Sequence, residues 1–330
     1  MIGYQASHEQ FLPSELLRYC KLAEQAGFTS INSSDHFHPW SKRQGQSGYS
    51  FAWLGAAMAQ STLPFGVVCT PGYRNHPAIV AQATATLAEM FPDRFWIALG
   101  SGEALNERIT GEKFPIKSER NERLLECHHI IKQLLQGETV THFGRVTVEH
   151  AKLYTLPNAT PLVVGAAVTK ETAAWMGTWA DGMITVHRPY EELKEVVEAF
   201  RNNGGEGKPV FLKVQLSYAK TDKEALEGAH DQWRTNIFHS TVLGDLWQVE
   251  QFDELGKFVQ AEELRQMVRI SPDIQQHVDW IAQDMELGFE RIILHNVNRQ
   301  QESFIETFGQ KVLPQLQPGD LLYKKEQVLK

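Results

Sequence analysis

Cysteine is scarce, with three residues in a chain of 330. Cys20, Cys69 and Cys127 are odd in number and far apart, so their spacing encodes neither a disulfide framework nor a zinc site; it suits reduced, buried thiols. An excess of basic charge is also missing. Lys and Arg total 32 against 40 Asp and Glu, a net −8, and without a positive field there is nothing to hold a phosphodiester backbone. No stretch approaches the roughly 20 apolar residues of a membrane span. Met1-Ile2-Gly3-Tyr4-Gln5 lacks the basic segment and apolar run of an export signal. These absences predict a soluble, cytoplasmic protein that binds neither nucleic acid nor membrane. Repeats, low-complexity tracts and Pro/Ser linkers are missing as well, which favours a single domain over residues 1–330 although the length alone would allow about two. What is present is a globular balance of 42% hydrophobic and 22% charged residues, enough to bury a large core.

The chain alternates short apolar runs with amphipathic segments. Ile2-Gly3-Tyr4 precedes a helical stretch opened by Pro13, carrying Leu16, Leu17, Cys20, Ala23 and Ala26 and closed by Gly27. Phe28–Asn32, Leu63–Val68 and Arg94–Leu99 are the next three strand runs, each followed by helical sequence. Leu162–Val164, Gly182–Val186, Val210–Val214 and Arg291–His295 make eight in all. Strands this apolar must be covered on their outer faces, which points to an α/β fold, a (β/α)8 TIM barrel, with an open doubly wound sheet as the alternative. Two insertions interrupt the pattern: a hairpin about 138–148, and a polar, irregular stretch about 238–271 that is too long for an ordinary connection and reads as a lid.

In such a barrel the chemistry lies just past the C-terminal ends of the strands. Ser34-Asp35-His36-Phe37-His38-Pro39-Trp40, Cys69-Thr70-Pro71 and Gly100-Ser101-Gly102-Glu103-Ala104-Leu105-Asn106-Glu107 all fall there. His36 with the acidic Asp35 and Glu103 and the aromatic Trp40 offers acid, base and wall together; helix capping and core packing would use the same residue types. Gly100-Ser101-Gly102 fails the dinucleotide fingerprint because Leu105 stands where the third glycine belongs. A metal-dependent hydrolase is the remote alternative. His36-Phe37-His38, His187 and His295 superficially resemble amidohydrolase ligands, but the H-x-H follows the second strand rather than the first, and no carboxylate ends the last. No metal site is therefore expected. No G-x-S-x-G elbow supports a serine hydrolase.

Taken together, the segments Ser34–Trp40, Thr70-Pro71 with Arg74 and Pro77-Ala78, and Gly100–Glu107 closely resemble the bacterial luciferase-like flavin and deazaflavin oxidoreductases. The branch around the deazaflavin-dependent glucose-6-phosphate dehydrogenases is the most similar, and Gly3–Ser7 and Ala180-Asp181-Gly182 extend the resemblance over nearly the whole chain. It implies a barrel with insertions, a homodimer, and a flavin-type ring across the barrel mouth. Asp35 would meet the ring's polar edge, Val67-Val68 would form a bulge, often a cis peptide, behind it, and Thr70 would bond the ring or its side chain. Ser101, Gly102, Asn106, Gly165 and Ala166 would line the ribityl-phosphate channel. His36 would be the base, Trp40 would stabilise the intermediate and Glu103 would be the acid. The matching phosphate-binding lysine is missing from Thr185–Pro189, leaving His187 there, with Arg265 and Lys257 in the insertion, to contact substrate. The resemblance implies FMN first and coenzyme F420 as the alternative. The implied activity is FMN-dependent hydride transfer to or from a small molecule, with oxygen or a flavin reductase as partner. An F420-dependent alcohol or sugar-phosphate dehydrogenase is the alternative, and a non-catalytic flavin binder remains a separate reading.

Overall fold

A computed structural model describes residues 1–316. Its strands are β1 (Ile2–Ala6), β2 (Ser30–Ser34), β3 (Phe65–Cys69), β4 (Phe95–Leu99), β5 (Val140–Phe143), β6 (Thr147–Ala151), β7 (Leu162–Ala166), β8 (Met183–Val186), β9 (Val210–Ser217), β10 (Arg269–Ile270) and β11 (Arg291–Asn296). Parallel pairing runs from β11 through β1, β2, β3, β4, β7 and β8 to β9, and β9 pairs back onto β11. The result is a closed eight-stranded parallel barrel, and each of the eight apolar runs is one of its strands. β5 and β6 form the separate antiparallel hairpin, and the two residues of β10 extend the outer end of β9.

Helices cover the outside because their apolar positions recur at i, i+3, i+4 and i+7. Pro13–Gln25, begun by a proline at its first turn, buries Leu16, Tyr19, Cys20 and Ala23. Pro77–Met90 and Ile274–Met285 follow the same rule, with Val80, Ala81, Thr84, Leu87 and Val278, Ile281 turned inward. The strands present Val67, Ile97, Val163, Leu212 and Leu294 to this layer.

Alternation along each strand sends the other set into the barrel. Trp96, Ala98, Val164, Ile184, Phe211 and Ile293 fill its lower part. The rings of Trp96 and Phe211 meet at 4.8 Å and 63°. A Cβ at Gly66 would stand 2.0 Å from the Trp96 ring, so only glycine lets β3 pass the indole. The register Arg291↔Phe211, Ile293↔Lys213, His295↔Gln215 shows the lumen changing upward from aromatic to polar. Lys213, Gln215 and His295 thus lie toward the C-terminal mouth, above the Trp96–Phe211 layer under which Arg291 stacks.

The stretch read as irregular is more ordered than its polarity suggests. It holds helices at Ser240–Asp245 and Val249–Gly256, a 3-10 turn at Ala261–Gln266, and β10. Polar caps define these elements: the His239 side chain accepts from the Thr241 N–H, and Gln248 and Gln251 cap one another. Apolar periodicity is too short to reveal them. Phe252 is completely buried and packs with Trp40, Leu105, Leu243, Leu246 and Val249, so the insertion is pinned over the loops after β2 and β4. Ser41 Oγ and the Lys42 N–H donate to Asp253 at 2.6 and 3.1 Å.

Candidate active site

The loop after β1 contributes a residue that lies outside the strand-end motifs of the sequence. Glu9 is buried, and its two carboxylate oxygens accept from Ser7 Oγ and Ser34 Oγ, each at 2.9 Å. Its Oε1 also lies 2.8 Å from His36 Nδ1. Burial works against the Glu9 charge, but the His36 imidazole and the Lys213 ammonium outweigh it and hold the carboxyl well below its ordinary range. For His36, burial pulls proton affinity down while the Glu9 carboxylate more than compensates, so the imidazole titrates above its usual value. Nδ1 is thereby oriented by Glu9, leaving Nε2 as the nitrogen able to exchange a proton with a ligand.

Trp40 meets His36 edge-on at 5.5 Å and 76°, and Phe252 backs it at 5.3 Å and 79°. Glu103 follows β4; burial raises its proton affinity, Glu9 adds to that, and His36 and Lys213 oppose it. A base, an aromatic wall and a carboxyl that keeps its proton more readily than usual therefore share one site. Lys213, on the inward face of β9, is the other unforeseen member. The warning was a single lysine within the apolar run Val210–Leu216; for Glu9 it was the polar Ser7-His8-Glu9-Gln10 immediately after a strand.

The residues expected to bind the cofactor divide. Asp35 is buried; its Oδ2 accepts from Arg74 and Asn75, both at 2.7 Å, while Oδ1 has no partner. Arg74 also reaches Glu107 at 3.4 Å, and burial, partly offset by Arg74, pushes the Glu107 carboxyl up to about 7. Val68 lines the lumen, whereas Val67 points out into the helix layer, and no peptide among the described residues is cis. The expected bulge with a cis bond is thus replaced by a regular trans strand whose Val68 carbonyl accepts from the Asp35 N–H.

Thr70 stands against Gly102, which has φ +81; a Cβ there would lie 2.8 Å from Thr70 Cγ2. Ser101 Oγ accepts from Lys117 Nζ at 2.7 Å. Ala166 is half-buried on the lumen side. Gly165 is not: its missing side chain faces the covering helix, 2.2 Å from Met176 Sδ, and so permits close strand–helix packing. Asn106 likewise has an internal task. Its Oδ1 accepts from the Phe37 and His38 N–H groups at 2.8 and 3.1 Å, fastening the loop that carries His36.

The expected substrate residues are less available. Arg265 is bound to Asp222 and Glu262, both at 2.7 Å, and to the Ile270 carbonyl, so its guanidinium is spent within the insertion. Lys257 pairs with Glu254 at 2.6 Å. His187 is drawn down to about 3 by burial and by the neighbouring Arg269 and Arg188, so it carries no charge at neutral pH. Arg269 is itself held by both oxygens of Asp284, at 2.6 and 2.9 Å. The two histidines of the H-x-H diverge: His36 turns to Glu9, and His38 Nδ1 to the Leu105 carbonyl at 2.8 Å. No group of three or more His, Cys, Asp and Glu poised for a metal occurs among the described residues. None of the described helices is long and apolar enough to cross a membrane.

Comparison with known proteins supplies an independent view of this arrangement. The family model described as luciferase-like monooxygenase matches residues 2–291. The F420-dependent glucose-6-phosphate dehydrogenases of Microbacterium testaceum and Beutenbergia cavernae are each 32% identical, over 95% and 96% of this chain and 96% and 97% of theirs. An F420-dependent secondary alcohol dehydrogenase, solved in complex with an F420-acetone adduct, superimposes with a TM-score of 0.88 at 26% identity, covering 96% of this chain and 99% of that one. The tetrahydromethanopterin reductase of Methanopyrus kandleri shares the fold, with a TM-score of 0.77 at 20% identity over 96% and 99% of the two chains.

Proposed function

The chain belongs to the luciferase-like monooxygenase family, and on that premise we propose that it is an F420-dependent oxidoreductase that removes hydride from the carbinol carbon of an alcohol. The order of cofactors read from the sequence is reversed here. Support for F420 over FMN comes from the names of the relatives at 30% identity or more and of the superimposed alcohol dehydrogenase. A deazaflavin also suits the site chemically. Asp35 Oδ1 is a buried acceptor without a donor, and a ring edge bearing an N–H would satisfy it. Asp35, Thr70 and Ser101 are the residues that would hold the group, with Val68 and Ala166 as apolar lining.

When bound, a deazaflavin supplies a ring carbon that takes up or releases hydride. The chain's own residues manage the proton and the geometry. His36 Nε2 accepts the substrate hydroxyl proton while Glu9 steadies the imidazolium that results, a division of labour resting on the 2.8 Å Glu9–His36 contact. That contact is the observation carrying the proposal. Trp40 and Phe252 exclude water from one side, and Glu103, past the end of β4 on the same mouth, holds a proton. A neutral alcohol is favoured over a sugar phosphate because Arg265 and Arg269 already have carboxylate partners; a phosphate would have to break those charge-assisted bonds.

The test is a titration of purified protein with F420 and with FMN, followed by each cofactor's fluorescence, and then addition of secondary alcohols or glucose 6-phosphate while the oxidised deazaflavin band is monitored. F420 binding with bleaching by alcohols is expected. Preference for FMN, or bleaching by glucose 6-phosphate alone, overturns the proposal.

A further inference from the structure

Lys213 puts an ammonium inside the barrel, on the lumen face of β9, in register with Ile293 of β11 and Val186 of β8. Its strand is locked on both sides, and the backbone carbonyl of Lys213 accepts from the His187 N–H, so the side chain has a fixed origin. Below it the lumen is closed by Trp96, Phe211 and Ile293, with Arg291 stacked under the two rings. Above it lie the groups of the active site. No hydrogen bond joins its Nζ to another described residue, and no carboxylate among them lies within 4.0 Å. Lys213 is only half-buried, so its ammonium keeps some hydration while lacking a dedicated carboxylate, and its field reaches the lumen groups without being cancelled by a paired counter-ion.

The groups that feel this field come from four elements. Glu9 follows β1, His36 follows β2, Glu103 follows β4, and His295 belongs to β11. His295 is held neutral by burial and by the same ammonium, and its Nε2 is bonded to Gln10 Oε1 at 3.0 Å. It adds no charge. His8 is drawn down to about 4 by burial and adds none either, while Glu107, pushed up to about 7, faces His36 from beside Arg74 and Asp35; the groups coupled directly to Lys213 that carry charge are two carboxyls and one imidazole. With Lys213 charged, ionising both carboxyls leaves the set at −1 with neutral His36; without that charge the same state would stand at −2. Protonating His36 or Glu103 is the way such a site relieves an excess of negative charge.

We propose that Lys213 is a positioning residue that assigns the active-site protons: its ammonium limits how strongly an ionised Glu9 holds a proton on His36, so that more of the imidazole is neutral and ready to accept. It does not touch the reacting atoms; it acts through His36 and Glu103. The direction of its influence agrees with the electrostatics of each group. It opposes the proton on His36 and on Glu103 and supports the charge of Glu9. Burial works to discharge Lys213 itself, while Glu9 and Glu103 keep the charge on it.

The kinetic part of this inference rests on the proposed oxidoreductase reading, but its first test does not. In full-length protein without added cofactor, the His36 ring resonance, assigned with H36A, is titrated by NMR in wild type, K213M, K213Q and K213R. Loss of the charge is expected to raise the His36 midpoint by about one pH unit, which corresponds to about 1.4 kcal/mol of lost repulsion. K213R is expected to restore the wild-type midpoint. A His36 midpoint in K213M or K213Q within a few tenths of wild type overturns the proposal. A further measurement needs no variant: if the Lys213 Cε resonance shows the amine already neutral at the His36 midpoint, the idea fails.

In turnover with F420 and an alcohol, the acidic limb, which requires neutral His36, and the basic limb, which requires protonated Glu103, both move upward in K213M. A merely structural lesion would lower the bell without displacing it. Failure of any variant to turn over alcohol, with the NMR shift intact, would instead count against the proposed function.

Discussion

Replacing Glu9 by Gln removes one charge while nearly preserving shape, and the consequence should depend on pH in a defined way. The carboxylate faces His36 Nδ1 at 2.8 Å and accepts from Ser7 and Ser34. A charge-assisted interaction of this kind contributes about 1.5–3 kcal/mol, equivalent to about one to two pH units in the His36 midpoint. The loss is bounded because an abandoned buried imidazolium sheds its proton instead of remaining charged. Glu9 has a depressed native midpoint, so its contribution is present above the unfolded value of 4.5 and fades as pH falls through the native one. His36 has a raised native midpoint, so its contribution is complete below the unfolded value of 6.5 and fades as pH rises through the native one. The pair therefore stabilises most between those two unfolded values. Urea unfolding of wild type and E9Q, read by tryptophan fluorescence, should show a stability gap at pH 5.5 that is about 2 kcal/mol wider than at pH 9. A gap that does not change between the two would refute the ion pair as the organising contact of the site.

Other outcomes follow from single contacts. H36A should retain F420 affinity within a few-fold while turnover drops by about 100-fold or more; unchanged steady-state rates would remove His36 from the mechanism. N106A deprives the Phe37 and His38 N–H groups of their acceptor, and at about 1–3 kcal/mol for each abandoned donor it should lower the melting temperature and cut kcat more than F420 affinity. Equal losses in both would argue against a loop-fastening role. G66A forces a methyl into the Trp96 ring and should destabilise the barrel by about 3 kcal/mol, with partial recovery in G66A/W96L. A single variant as stable as wild type in urea would show that the lumen is not packed as described.

The barrel was readable because its causes are local. Eight short apolar runs such as Phe65–Cys69 and Phe95–Leu99, punctuated by Pro13, Gly27 and Pro77, carry their periodicity and their breaks within a few residues of chain. The same holds for the strand-end segments carrying His36, Trp40 and Glu103, since a residue just past a parallel strand must face the mouth. The short helices around Phe252 are not legible in the sequence because their apolar stripe, as in Val249 and Phe252, spans barely two turns and reciprocal polar caps set their limits. Gly165 and Asn106 were assigned to the cofactor because small and polar residues at strand ends serve binding and packing alike. Only the close approach of Met176 to where a Gly165 side chain would stand, and the paired N–H groups of Phe37 and His38, separate the two uses.

By itself, then, the sequence determined the alternation of strands and helices, the end of the barrel that bears chemistry, and the imidazole, indole and carboxyl gathered there. Which charges meet was decided by closure of the sheet. β11 pairs with β1 on one side and β9 on the other, and this brings Lys213 beneath Glu9, His36 and Glu103. Pairing of β2 with β3 sets Asp35 beside Arg74, and the packing of the insertion and the last helices leaves Arg265 and Arg269 bound to carboxylates of their own. Local periodicity fixes which face a residue occupies; the Coulomb energy that sets its protonation depends on distances across the lumen, between residues that sequence separation does not relate.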